Sequence, residues 1–284
     1  MAKLFKVATR SSPLAMKQTQ MAIDYLAGKI EGADFEVLDF KTTGDKKLNW
    51  SLEKHGGKGL FTKELEDSLL SGETDFAVHS AKDLSVDIPE GLALAAFLPR
   101  DDPRDTLILR ESVSVPSLIA TASPRRRSQF KKRLPTSVWT EIRGNIETRL
   151  RKISESAADA SVLAAAGLDR LGIETFEGLE FKRLKVQCCV PAVGQGAIAI
   201  ECRRSDLEFF SSFSDKPTEL AVLLEREFLK ALGGGCQVAY GAYFDGELLH
   251  FYHEKVGYQK LDLSGFADFD QKANAIRELA EGLI

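Results

Sequence analysis

A chain of 284 residues with 44% hydrophobic and 28% charged side chains is long enough for two or three packed domains and has an ordinary soluble composition. A net charge of −4 speaks against a general binder of nucleic acid or membrane surface, which needs a basic balance. Four cysteines in this length make no disulfide framework, and neither they nor the four histidines have zinc-site spacing, so no metal is expected.

The start, Met-Ala-Lys-Leu-Phe-Lys-Val-Ala-Thr-Arg, has no long apolar core and no cleavage pattern. The most apolar stretch, Gly91 to Leu98, is too short to span a bilayer, so the expected location is the cytoplasm. Leu4 to Ala8 reads as a strand, and Pro13 suits the first position of a helix running to about Lys29. Phe35 to Lys41 is a second strand. The stretch from Thr42 to Gly59 carries Gly44, Gly56, Gly57, Gly59 and four lysines without periodicity, which predicts a long loop of the functional kind. Phe61 to Leu70 is a helix, and Asp75 to Ser80 a strand running into Ala-Lys-Asp-Leu.

After about Pro99 the α/β alternation repeats. Leu118 to Ala122 is a strand, Ser123 to Leu134 a helix, Val138 to Ile142 a strand, Asn145 to Ser156 a helix and Ala160 to Ala165 a strand. Val-Ala-Thr-Arg-Ser-Ser-Pro at 7–13 echoes Ile-Ala-Thr-Ala-Ser-Pro-Arg at 119–125; duplication and chance both produce matches this short. From Lys216 a helix, Pro217 to Leu232, leads into Gly233-Gly-Gly-Cys-Gln. Short strands and a closing helix near Gln271 to Leu283 follow, a small α+β domain.

Arginines collect where strands turn into helices: Arg10 at one junction, Arg125, Arg126 and Arg127 at another, Arg143 and Arg149 around a third. A helix start offers unpaired N–H groups and the positive dipole end, and guanidinium forks with Ser12, Thr121 and Ser123 hydroxyls add carboxylate or phosphate sites. Lys131, Lys132 and Arg133 read instead as a solvated basic face. Asp83 follows a buried-looking strand and stands at the same rim. It can stabilise a cation or shuttle a proton, or be a turn residue or helix cap. Cys188, Cys189 and Cys202 read as packing. Cys236, uncrowded behind three glycines, is a nucleophile, an attachment point or a packed thiol.

Together these segments resemble the porphobilinogen deaminase (hydroxymethylbilane synthase) family. The matching stretches are Ala-Thr-Arg-Ser-Ser-Pro-Leu-Ala (8–15), Gly-Gly-Lys-Gly-Leu-Phe (56–61), Val-His-Ser-Ala-Lys-Asp (78–83), Arg-Gly-Asn-Ile-Glu-Thr-Arg-Leu (143–150), Ala-Gly-Leu-Asp-Arg-Leu-Gly (166–172), Pro-Ala-Val-Gly-Gln-Gly-Ala (191–197) and Gly-Gly-Cys-Gln-Val (234–238). They occur in family order over nearly the whole chain. Ser85 and Ala239 stand where the family commonly has proline, and Ala120-Thr-Ala-Ser-Pro replaces a more usual Gly-Thr-Ser-Ser-Leu.

The resemblance implies an α/β fold of two periplasmic-binding-protein-like lobes with the active cleft between them, plus a small α+β C-terminal domain. The expected boundaries are 1–98 with 193–212, then 99–192, then 216–284. It implies a covalent dipyrromethane cofactor on Cys236, on which four porphobilinogen units are joined with loss of ammonia before hydrolysis releases hydroxymethylbilane. Asp83 becomes the catalytic carboxylate. Arg10, Arg125, Arg126, Arg143, Arg149 and Arg170, assisted by Lys82, Ser12, Thr121 and Ser123, bind acetate and propionate groups, and Lys58 and Phe61 belong to an active-site loop. Porphobilinogen is the expected partner, without nucleic acid or membrane. The expected state is a monomer that hands its product to the next pathway enzyme. Two rivals remain at this point, a non-catalytic two-lobed anion-binding module and a cysteine hydrolase.

Overall fold

The computed structural model describes residues 3–46, 60–233 and 239–283. They divide into two compact units: 3–46, 60–101 and 197–220 form the first, and 102–196, 221–233 and 239–283 the second. The α/β expectation holds, with two five-stranded sheets and a separate three-stranded one.

In the first unit β1 (Lys3–Arg10) leads into α1 (Pro13–Ala27), with Pro13 in the first turn as its fixed φ favours. Strand β2 (Ala33–Phe40) and a short helix α2 (Thr43–Lys46) follow, so the segment predicted as loop begins with a helical turn. Helix α3 (Lys63–Leu70) precedes β3 (Phe76–Ser80), which ends in a 3-10 turn, Ala81–Asp83, and β4 is Leu92–Phe97. β1 pairs in parallel with β2 and β3. The fifth member, β10 (Ile198–Arg203), comes from far along the chain and runs antiparallel between β3 and β4. Phe76, Ala77, Val78 and His79 are all buried, as suits a central strand covered on both faces. Phe5, Val7, Leu26, Phe76 and Ile200 pack the core with Phe210, from the short helix Leu207–Ser211.

The second unit repeats the plan. Its strands are β5 (Asp105–Arg110), β6 (Leu118–Ala120), β7 (Val138–Thr140), β8 (Ala160–Ala164) and β9 (Leu179–Arg183). Between them lie α4 (Pro124–Lys131), α5 (Ile146–Ser154) and α6 (Ala165–Arg170). β6 is parallel to β7 and β8, and β5 runs antiparallel between β8 and β9. Orders β2-β1-β3-β10-β4 and β7-β6-β8-β5-β9 are therefore one topology, with the interior antiparallel strand following the other strands of its sheet in the first unit and preceding them in the second. The sequence echo falls at equivalent places. Ser12 and Ser123 are the N-caps of α1 and α4, and Pro13 and Pro124 open those helices. Strands β4, β5, β9 and β10 escape the sequence reading, because all four pair antiparallel and so lack the strand-helix-strand punctuation of the parallel ones.

The second unit also holds a meander of β11 (Tyr240–Phe244), β12 (Leu248–His253) and β13 (Gly257–Asp262), followed by a closing helix, Phe269–Glu281. Helix Lys216–Ala231 lays Phe228 against Phe251 of β12, ring centroids 5.3 Å apart. No described helix is long and apolar enough to cross a membrane.

Candidate functional site

In the first unit a cavity opens at the carboxyl ends of the parallel strands, where open α/β sheets place their ligands. Arg10, Ser12, Gln18, Phe61, Thr62, His79, Ser80 and Asp83 line it. Of the residues singled out from sequence, Arg10, Ser12, Phe61 and Asp83 thus share one wall, and Lys82 is exposed beside Asp83 on the same turn. Ser12 Oγ accepts from Ala15 N at 3.3 Å, capping α1, whose N-terminus is an anion-friendly dipole end.

Phe61 explains how Arg10 is held. Its ring lies under the Arg10 guanidinium, 4.4 Å from centroid to Cζ, a cation–π contact that orients the fork. The ring in turn lies on Gly44, where a Cβ would come within 2.2 Å of it. Gly44 N donates to Leu60 O at 2.8 Å, and both Thr43 N and Thr43 Oγ1 donate to Glu64 Oε1 at 2.8 and 2.7 Å. The two ends of the expected active-site loop are therefore tied together below the pocket. Lys58 lies outside the described residues.

Sequence reasoning passed over Gln18, His79 and Ser80. Gln18 Nε2 donates to Ser80 Oγ at 2.8 Å and so joins α1 to the strand end just before Asp83. A signal was available: Gln18 falls on the buried face Ala15, Thr19, Ala22, Leu26 of α1, where a polar side chain needs a partner. His79 Nε2 lies 2.9 Å from Glu201 Oε2, both side chains almost wholly buried.

In the second unit the remaining candidates gather at the same end of that sheet. Thr121 Oγ1 accepts from Ser123 N at 3.2 Å, and Ser123 Oγ accepts from Arg126 N at 3.4 Å. Arg125 and Arg126 both turn onto Asp105 at the start of β5, with contacts of 2.8 and 2.7 Å. Burial alone would raise the Asp105 pKa, but the two guanidiniums outweigh it and hold the carboxyl far below the ordinary range. Gln195 Nε2 adds a 2.9 Å bond to Asp105, and the Cys189 thiol donates to it at 3.1 Å. Burial, then Asp105, push that thiol up to about 12, so Cys189 is a packed thiol and no nucleophile. Two guanidiniums against one carboxylate leave one positive charge in excess.

Arg143 stands after β7 with its Nε 4.0 Å from Glu141. Arg149, on α5, donates from Nε to Gly144 O at 2.7 Å, and buried Arg170, at the end of α6, donates to Gly196 O at 2.7 Å. Gly144 takes φ +118°, and a Cβ there would meet Thr148 at 2.8 Å, so the turn into α5 requires glycine. Cys236 lies outside the described residues. Among the described residues no cluster of three or more His, Cys, Asp or Glu side chains could hold a metal ion.

In the first unit Asp83 and Arg10 line one cavity, and in the second Arg125 and Arg126 carry one more charge than Asp105 balances. A family model described as "Porphobilinogen deaminase, dipyromethane cofactor binding domain" matches residues 5–211. A porphobilinogen deaminase of Brevibacillus brevis is 48% identical over 247 residues, covering 84% of this chain and 79% of that protein. One of Paenibacillus macerans is 41% identical over 290 residues, covering 98% and 86%. Among solved structures, the Bordetella pertussis BvgS periplasmic VFT2 domain overlaps 73% of this chain and 84% of its own, at 18% identity and a TM-score of 0.43.

Proposed function

The chain belongs to the porphobilinogen deaminase family, and from that premise we propose that it joins four porphobilinogen molecules head to tail on a dipyrromethane primer held by Cys236. Each addition releases ammonia, and hydrolysis finally releases the linear tetrapyrrole hydroxymethylbilane. The observation that carries this reading is the single wall on which Asp83, Arg10, Ser12 and Phe61 meet.

Each pyrrole of the primer and of the substrate brings an acetate and a propionate. Guanidinium forks, capped helix starts and hydroxyls are the donors such groups need, so the residues present fit the cofactor's chemistry. Arg10, Ser12 and Lys82 on the first unit, and Thr121, Ser123, Arg125, Arg126, Arg143, Arg149 and Arg170 on the second, are the proposed carboxylate partners. The primer, when bound, supplies the nucleophilic terminal pyrrole carbon. As ammonia leaves the substrate, positive charge develops on its pyrrole ring, and the Asp83 carboxylate stabilises that charge and takes part in moving the proton. Phe61 keeps the Arg10 fork aimed at the substrate's carboxylates, and Lys58 is assigned to the same loop. The 1–98/193–212, 99–192 and 216–284 division is part of the proposal, supported by the three separate sheets. So are a cytoplasmic, monomeric state and hand-over of product to the next enzyme, of which light scattering tests the second.

Intact-mass measurement tests the whole reading. Freshly purified active protein carries extra mass equal to two linked pyrroles, and Cys236→Ser loses it. Active protein with the unmodified mass would overturn the assignment.

A further inference from the structure

The first unit buries a charged cluster that its twin does without. His79 on β3 and Glu201 on β10 touch at 2.9 Å, with 3% and 0% of their side chains exposed. Glu66 of α3, also buried, interacts with both. Neither Glu201 oxygen has an aligned hydrogen-bond donor among the described residues. His79 Nε2 and Glu201 Oε2 are thus in close contact without an aligned hydrogen bond.

The second unit supplies the control. The same five-residue interval separates α3 from β3 and α5 from β8, so Glu66 corresponds to Leu150 and His79 to Leu163. Glu201 pairs opposite the second residue of β3, and Ile108 opposite the second residue of β8. Leu150, Leu163 and Ile108 pack together in one hydrophobic cluster. The same topology is thus built there from two leucines and an isoleucine. Buried charge is weak evidence for stability, and apolar replacements are often neutral or better, so packing does not account for the charged set.

Its position does. His79 and Asp83 line the same cavity, on one strand and the turn that ends it. Resting on the deaminase reading of that cavity, we propose that Glu66, His79 and Glu201 are a buried proton store for the Asp83 site, with His79 as its positioning residue at the cavity wall. The chemistry gives such a store a use. In each addition the substrate's C–N bond breaks, a C–C bond forms, and the terminal pyrrole loses a C–H proton that leaves with ammonia as ammonium. No electrons are gained or lost, and a store holds that proton whenever ammonia departs first. Glu66 is the acid of this store, and His79 is its contact with the cavity.

Burial raises the Glu66 pKa against a Thr62 hydrogen bond, with Glu201 adding to the rise and His79 opposing it, so a carboxyl here holds its proton to higher pH than an exposed one. Other charged groups on the packed elements are few. Asp67 lies next to Glu66 on α3, and Arg10 and Asp83 face the cavity. Arg203 of β10 is committed to the Leu69 and Thr74 carbonyls, Asp75 and Asp206. Cys202 is pushed up to about 12 by burial, and β4 carries no titratable side chain.

The test transplants the second unit's solution. The triple variant Glu66→Leu, His79→Leu, Glu201→Ile is expected to fold and to carry the cofactor mass. Its kcat should fall about ten- to hundredfold, and its pH–rate profile should lose one ionisation. Infrared difference spectra of the holoenzyme across neutral pH should show a titrating buried carboxylic acid, absent in Glu66→Gln, which also serves if the triple variant does not fold. A triple variant with unchanged kcat and profile, or parent spectra with no such acid, overturns the proposal. Parent protein without deaminase activity but with the carboxyl band overturns the functional reading alone.

Discussion

At the scale of single residues, Asp83 and Asp105 are both carboxylates beside arginine-rich turns, yet their surroundings assign them opposite work. Asp83 is exposed at a cavity wall, so its removal costs the fold little. Asp83→Asn is expected to keep the thermal midpoint and cut ammonia release from porphobilinogen by roughly a hundredfold or more; turnover within a few-fold of the parent would refute the catalytic role. Asp105 is wholly buried between two guanidiniums. Asp105→Asn leaves those charges facing one another and is expected to cost about 3–5 kcal/mol in urea unfolding. Of these two, only Asp83 was legible in the sequence, because it stands in a motif. Asp105 draws its meaning from Arg125 and Arg126, some twenty residues on, and that pairing exists only once β5 lies against β8.

At the scale of elements, two glycines control how the site is presented. Gly144 precedes α5 in a left-handed conformation, and a side chain there would strike Thr148. Gly144→Ala should therefore cost about 1–3 kcal/mol in thermal or urea unfolding and disturb the helix start that carries Arg149. Gly44 is tolerant in backbone but sits under Phe61. Gly44→Ala should displace the ring and release Arg10 from it, raising KM for porphobilinogen more than it lowers kcat; an unchanged KM would show that the stack does not orient the arginine. Helix α5 and the strands β1 and β7 near these glycines could be read from periodicity, whereas the short helix that holds Gly44 lay in a segment read as loop. The antiparallel strands of the two larger sheets could not, since no βαβ punctuation marks them and β10 comes from a distant part of the chain.

At the scale of the whole molecule, charge burial sets the pH dependence of stability. The folded state holds Asp105 below its ordinary pKa through Arg125 and Arg126 against the cost of burial, and Asp159 through the Leu118 and Ser117 amides. Such depressed carboxyls contribute stability that is present above an unfolded pKa of about 4 and is lost as pH falls below it. The thermal midpoint should drop below about pH 4, with Asp105→Asn removing much of that acid limb. Glu66 works with the opposite sign. Its raised pKa favours the fold at low pH, and that contribution is lost as pH rises through its folded value. Glu66→Gln should therefore stabilise the protein more at pH 8 than at pH 5 in paired thermal scans.

By itself the sequence determined the α/β class, the helix starts, the arginine-bearing junctions and, through motifs in order, the family to which the chain belongs. These are properties of local propensity and short-range spacing, which neighbouring residues suffice to express. Only the tertiary structure decided that two distant stretches share one sheet plan, that Arg125 and Arg126 close on Asp105, and that Glu66, His79 and Glu201 meet where the twin unit has leucine and isoleucine. Those facts depend on strand register between segments far apart in the chain, and register is fixed by what each face must bury rather than by any residue's immediate neighbours.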